Sequence, residues 1–165
     1  MAYYPKQLIK VSKTLTCTGN GATSLAAFAV TGTVRVREIY GVVTEATNAT
    51  TLQKVGLILY EATPTTVEIT DIGTGTDGSG AVIGSLFIRD AVVGASSPLA
   101  YKKADVCSSV ETQYDGSGYG LVLTQRAGVT TNIKVNFTGD ANTDVDIQWF
   151  CKYEQLSEGS SITAA

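Results

Sequence analysis

The feature that most constrains this chain is a two-residue alternation near its C-terminal end. Val145, Ile147, Trp149, Cys151 and Tyr153 alternate with Asp144, Asp146, Gln148, Lys152 and Glu154, and only Phe150 breaks the polar phase. That period puts one set of side chains on a core and the other on water, as in a β-strand with one buried face. Just upstream, Ile133, Val135 and Phe137 alternate with Asn132, Lys134, Asn136 and Thr138, and Gly139 to Asn142 reads as a turn. The spacing predicts that the two strands form a hairpin with a four-residue loop.

The same pattern recurs with more interruptions over Leu8 to Cys17, Leu25 to Val30, Thr33 to Thr44, Leu52 to Glu61, Thr66 to Ile72, Val82 to Arg89 and Tyr119 to Thr124. Turn-forming residues separate these runs, as at Gly19 to Gly21, Asn48 to Thr51 and Pro64. Regularly spaced short strands predict an all-β fold, a jelly-roll-like antiparallel β-sandwich of about eight to ten strands. The one place for a short helix is Lys103 to Glu111, where Ala104, Cys107 and Val110 recur at spacing three. With 165 residues the chain is one domain, able to bury roughly 70% of its unfolded surface without disulfide staples. Within it, residues 1–6 read as an extended N-terminal arm, 7–156 as the sandwich and 157–165 as a small-residue tail with no core-forming pattern. Each end either packs on its own domain or docks on a neighbouring subunit.

Charged residues make up 16% of the chain, well below the usual quarter, so threonine, serine and glycine must cover the surface. A net charge of -3 argues against nucleic-acid binding, which needs a basic face to neutralise phosphates. The charges are unevenly spread. Lys6, Lys10, Lys13, Arg35 and Arg37 precede the first acid, whereas Asp140, Asp144, Asp146, Glu154 and Glu158 near the other end face Lys152 alone. Either the first and last strands are sheet neighbours that pair charges, or subunits meet head to tail. Met1 to Lys10 has no apolar run, and no stretch approaches the ~18 apolar residues of a membrane span. The expectation is a soluble product, cytosolic or released by lysis.

Catalytic chemistry finds little material. The chain contains no histidine, the usual base for a serine or cysteine nucleophile and the commonest metal ligand. Cys17, Cys107 and Cys151 are odd in number and far apart, which fits buried small apolar side chains rather than a disulfide framework. Glu38, Glu45, Glu61, Glu68, Asp105 and Glu111 could supply a glycosidase pair, but no spacing singles out two of them. Gly73-Thr-Gly75-Thr-Asp-Gly78 matches a dinucleotide fingerprint, yet a β-like segment follows where the fingerprint needs a helix; it reads as a hairpin loop. Asp140, Asn142, Asp144 and Asp146 could offer oxygens to calcium but lack the EF-hand glycine and terminal glutamate. The triplets at Asn48 and Asn136 match glycosylation sequons, which a threonine-rich chain produces by chance. Trp149 is in phase with the inward residues and reads as core. Tyr3, Tyr4, Tyr101, Tyr114 and Tyr119 fall at ends or in glycine-rich loops, where exposed tyrosines suit interfaces with protein or glycan.

The ending Asp146-Ile-Gln-Trp-Phe-Cys-Lys-Tyr-Glu-Gln-Leu-Ser-Glu158, the segment Gly84-Ser-Leu-Phe-Ile-Arg-Asp90 and the Gly/Thr/Ala-rich composition together resemble the capsid decoration (cement) proteins of tailed bacteriophages. The resemblance implies a jelly-roll homotrimer, made in the host cytoplasm, on the outer surface of the virion head. There it would stabilise the capsid by clamping neighbouring copies of the major capsid protein, without enzymatic activity, cofactor, metal, nucleic acid or membrane. The capsid-side or subunit contact then falls on the arm Met1, Ala2, Tyr3, Tyr4, Pro5 and Lys6, with Gly73 to Gly80 as an outward tip. Two other classes stay open: another virion part, such as a head fibre, tail or receptor-binding module, and a carbohydrate-binding sandwich using Tyr114 and Tyr119.

Overall fold

The computed structural model describes residues 7–49, 51–61, 67–70, 76–89, 100–102, 121–125 and 127–165. The arm Met1 to Lys6, the expected helix at 103–111, Cys107, Tyr114 and Tyr119 lie outside these residues, as do the side chains of β7. The described chain is all-β: β1 (Ile9–Thr18), β2 (Gly21–Thr31), β3 (Thr33–Asn48), β4 (Gln53–Glu61), β5 (Val67–Glu68), β6 (Leu86–Ile88), β7 (Ala100–Lys102), β8 (Leu121–Thr124), β9 (Thr131–Gly139), β10 (Asp144–Gln155) and β11 (Ser161–Ala164).

Two antiparallel sheets face each other. One runs β1-β10-β3-β6-β7, with β8 also on β3; the other runs β11-β2-β9-β4-β5. Successive long strands alternate between the sheets, and the ladders nest: β1 pairs β10, β2 pairs β9, β3 pairs β8 and β4 pairs β5. This is one long antiparallel hairpin rolled up, the winding of a jelly roll. The inward sets interdigitate into a single core of Val34, Val36, Ile39, Phe28, Phe87, Phe137, Ile133, Ile147 and Trp149, among others. Rolling leaves β1 with one open edge, where Lys13 lies opposite Trp149 on the core-facing register and is only half-buried. A charge pointing inward on an edge strand hinders pairing with a further chain.

The hairpin expected from β9 and β10 does not form. Its turn instead carries the chain across the sandwich, because each strand finds longer apolar partners elsewhere: β9 sits between β2 and β4, and β10 between β1 and β3. Thr143 holds the crossover. Its N–H donates to the Asp140 carbonyl at 3.1 Å, its Oγ1 accepts from the Asp140 N–H at 2.9 Å, and Oγ1 lies 2.7 Å from the Thr51 hydroxyl. The tail also departs from expectation. Ser161–Ala164 adds β11 to the edge of β2, and Ile162, a single apolar residue among small ones, is buried. Val82 to Arg89 is a strand only at Leu86–Ile88, after a turn at Ile83 and Gly84. In the glycine-rich loop, Thr76 bridges to Val55, and a Cβ on Gly78 would meet Phe87 Cζ at 2.8 Å. That part of the loop lies against the core rather than outward.

Gly41 shows how tightly the middle of β3 meets β10. A Cβ there would fall 2.8 Å from Ile147 Cγ2 and 3.0 Å from the Trp149 ring. Gly41→Ala is therefore expected to lower the unfolding free energy by about 1–3 kcal/mol through overpacking. The check is the urea midpoint at unchanged m-value.

Candidate functional site

The outer face of the first sheet carries a half-buried aromatic stack. Phe150, which breaks the polar phase of β10, stands on that face and stacks on Tyr40 of β3, centroids 4.9 Å apart and planes 21° from parallel. The Lys10 ammonium caps the same ring at 4.3 Å from its centroid. By register the patch continues across the sheet: Tyr40 faces Ile88, Val42 faces Leu86, and Arg35 faces Val122. Val122 is half exposed. Aromatic rings beside aliphatic side chains with a cation above form the kind of surface that anchors protein contacts.

Charges frame the patch at one end. Lys10 and Lys152 are direct register partners on β1 and β10, and like charges so placed repel. They diverge, Lys10 to Phe150 and Lys152 Nζ to Glu38 Oε2 at 2.6 Å. Beyond them a bulge in the β3–β10 ladder around Arg37 lets Arg35 and Arg37 reach one carboxylate, Glu154, at 3.4 and 2.9 Å. The first strand does neighbour β10, but it sets Lys10 against Lys152; the ion pairs are made by β3, whose Arg35 and Arg37 meet Glu154 and whose Glu38 meets Lys152. At 14–30% side-chain exposure, such pairs contribute about 0.2–1 kcal/mol each and serve mainly to set the outline of the patch.

The outer face of the second sheet carries small and polar side chains over β2 and the end of β9, and farther along a second ring under a cation, Tyr60 of β4 with the Lys134 ammonium 3.6 Å from its centroid. A shallow groove of about 150 Å³ lies over β2, β9 and the start of β4, lined by Ala22, Thr23, Ser24, Lys54, Asn136, Phe137 and Thr138. The β4–β9 register slips between Gln53 and Gly56, and Lys54 within that bulge has φ 52°. It is the only non-glycine residue with positive φ among those described, a conformation that disfavours a side-chain-bearing residue by about 1–2 kcal/mol. Asn136 Oδ1 is buried with no hydrogen-bond partner among the described residues. Neither Lys54 nor this oxygen was singled out by the sequence; the signal that could have found them is Gly56 two residues after a lysine in an otherwise apolar strand.

The other sequence candidates find no gathered site. Among the described residues no three of His, Cys, Asp and Glu lie together as a metal group. Asp140 accepts from the Asn142 N–H at 2.8 Å as an ordinary turn. Asp77 is held below its usual range by the Ser79 hydroxyl and N–H that donate to it. Cys17 and Cys151 are buried free thiols. Burial pushes both up to about 12, and for Cys17 the nearby Asp146 carboxylate adds to the effect. Neither thiol is a nucleophile near neutral pH. Trp149 is core, its ring 6.3 Å from Phe87. No helix among the described residues is long and apolar enough to cross a membrane. No family model matches the chain, and neither the curated proteins nor the solved structures contain a match.

Proposed function

We propose that the protein is a structural component of a phage virion: a homotrimer that binds the major capsid protein on the outer surface of the head and stabilises it, with no catalytic step. The observation that carries this reading is the Tyr40–Phe150 stack under Lys10 on the water side of a rigid jelly roll. Large rings on an outer sheet face, continued by aliphatic side chains that include the exposed Val122, fit a surface kept for a protein partner. The rolled winding, a scaffold shared by viral capsid domains and lectins, supports an architectural role, and the sequence style described above supports the capsid in particular.

Static light scattering should return three times the 17.3 kDa chain mass. The protein should also bind expanded heads of the phage that encodes it, saturably. Phe150→Ala should weaken that binding by about 30-fold or more, the effect of losing an interface anchor, without changing the far-UV spectrum. A monomer that fails to bind such heads at any concentration rules the proposal out. So does head binding indifferent to both Phe150→Ala and deletion of residues 1–6.

A further inference from the structure

From the edges of the two sheets we infer a docking surface for a second copy of this chain: the free side of β2 over residues 21–27, paired with the same stretch of the other copy about a two-fold axis. The inference is independent of the head-binding proposal, which uses the outer face of the other sheet. β11 covers β2 only from Phe28 to Thr31, with one last bond from the Ala165 N–H to the Ala27 carbonyl at 3.1 Å. On its other side β2 is paired with β9 from Gly21 onward. The free side of residues 21–27 therefore meets no strand among the described residues, and its outward backbone groups form a template for one. Ala22 and Ser24 are exposed there, and Thr23 and Leu25 are half-buried.

β1 and β2 lie beside each other at the open side of the sandwich, yet only β1 is guarded, by the inward Lys13. Residues 14–34 contain no charged residue and no proline, so β2 carries neither of these devices that blunt an edge. The same lack of charge suits an identical partner, because a two-fold contact sets each stretch against itself and like charges directly opposite would repel. β11 fixes the direction, since the row beside β2 already holds an antiparallel strand and falls vacant after Ala165. Ser24 is the middle of residues 21–27, so the two-fold sets Ser24 of one copy against Ser24 of the other, Thr23 against Leu25 and Ala22 against Ala26. The paired hydroxyls of such a row can hydrogen-bond, and Leu25, packed against the core, carries the apolar layer up to the seam. One strand pair ~20 Å long buries less than the ~1,000 Å² of a stable interface, so the contact is weak, with a Kd on the order of 1 mM. It is empty at the micromolar concentrations of light scattering and fills where copies are held side by side, at millimolar local concentration.

The test follows amide shifts of the 15N-labelled full chain from about 20 µM to 2 mM, a range that brackets a ~1 mM contact. The expected result is concentration-dependent shifts at residues 21–27, with the rest of the chain unchanged apart from the neighbouring end of β11. Ser24→Asp and Ser24→Lys each place two like charges opposite one another at the two-fold and should weaken the self-association about threefold or more. Ser24 is exposed, so the far-UV spectrum of both variants should match the parent's. Labelled Ser24→Asp mixed with unlabelled Ser24→Lys should recover the shifts, because only a contact that sets position 24 against itself turns the two repulsions into one attraction. Three results overturn the assignment: shifts at residues 21–27 that do not depend on concentration, a Ser24→Asp dilution curve equal to the parent's, or a mixture that associates no better than either variant alone. Head binding is measured separately, so its loss and the loss of this contact are told apart.

Discussion

Trp149→Ala is expected to lower the unfolding free energy by about 3–5 kcal/mol, a large share of the 5–15 kcal/mol that holds a domain of this kind folded. The indole is fully buried at the centre of β10, between Gly41 on β3 and Lys13 on β1 in register, and stacks toward Phe87 of β6. Removing it opens a void bounded by strands that cannot collapse into it, because each is fixed by its own ladder. Trp149→Phe should be far milder, about 1.5 kcal/mol or less. Part of the lost volume is offset because Nε1, a buried donor with no partner among the described residues, is removed too. Urea unfolding followed by far-UV circular dichroism compares the two. Equal losses in both variants would show that a phenyl ring restores none of the packing the indole provides.

Raising the pH should unfold the protein between about pH 9 and 12, and the two buried thiols should drive much of that loss. In the folded protein Cys17 and Cys151 hold their protons up to about 12, against an ordinary value of 9.0. Below the ordinary value both states keep the proton and the thiols add no pH dependence. Above it the unfolded chain releases two protons that the folded chain retains, so stability falls by about 2–3 kcal/mol per pH unit through that window. The double variant Cys17→Ala, Cys151→Ala should begin less stable, from the lost packing, but show a visibly shallower slope in denaturant midpoint above pH ~9. An identical slope in parent and variant would remove the thiols as the cause.

Alternation was the most legible part of the fold, because a half-buried strand writes its two faces into every second residue. β9 and β10 were readable almost to their ends on that ground, as was Trp149 in the core; the charge pairing expected of the first strand fell instead to β3, whose Arg35 and Arg37 meet Glu154. Which strand lies beside which was not. β9 and β10 have a turn of hairpin length between them, yet pairing is set by which apolar faces match across the whole sandwich, information spread from Ile9 to Tyr153. β11 was missed because Ile162 is a lone apolar residue in a tail of serine, threonine and alanine, and a neighbour's edge supplies its order. The outer stack was half visible: Phe150 stood out of phase, but Tyr40 looked like any aromatic of β3 until register set the two side by side. The bulge left one trace, Gly56 two residues after Lys54 in an apolar strand, but where it falls beside β2 and β9 is a property of placement and not of residue type.

The rolled winding has a consequence for how the molecule comes into being. Ile9 cannot meet Tyr153 until the ribosome has added every residue between them, which takes on the order of ten seconds or more. Until then β1 has no ladder, and β2 waits on β9 in the same way, whereas β3 can already meet β6 and β8 and β4 can meet β5. The ladders of β1 and β2 therefore close last. Many long-range pairings formed together make for slow folding, and during that interval the inward Lys13 on the first strand helps keep an unfinished sheet from finding another copy.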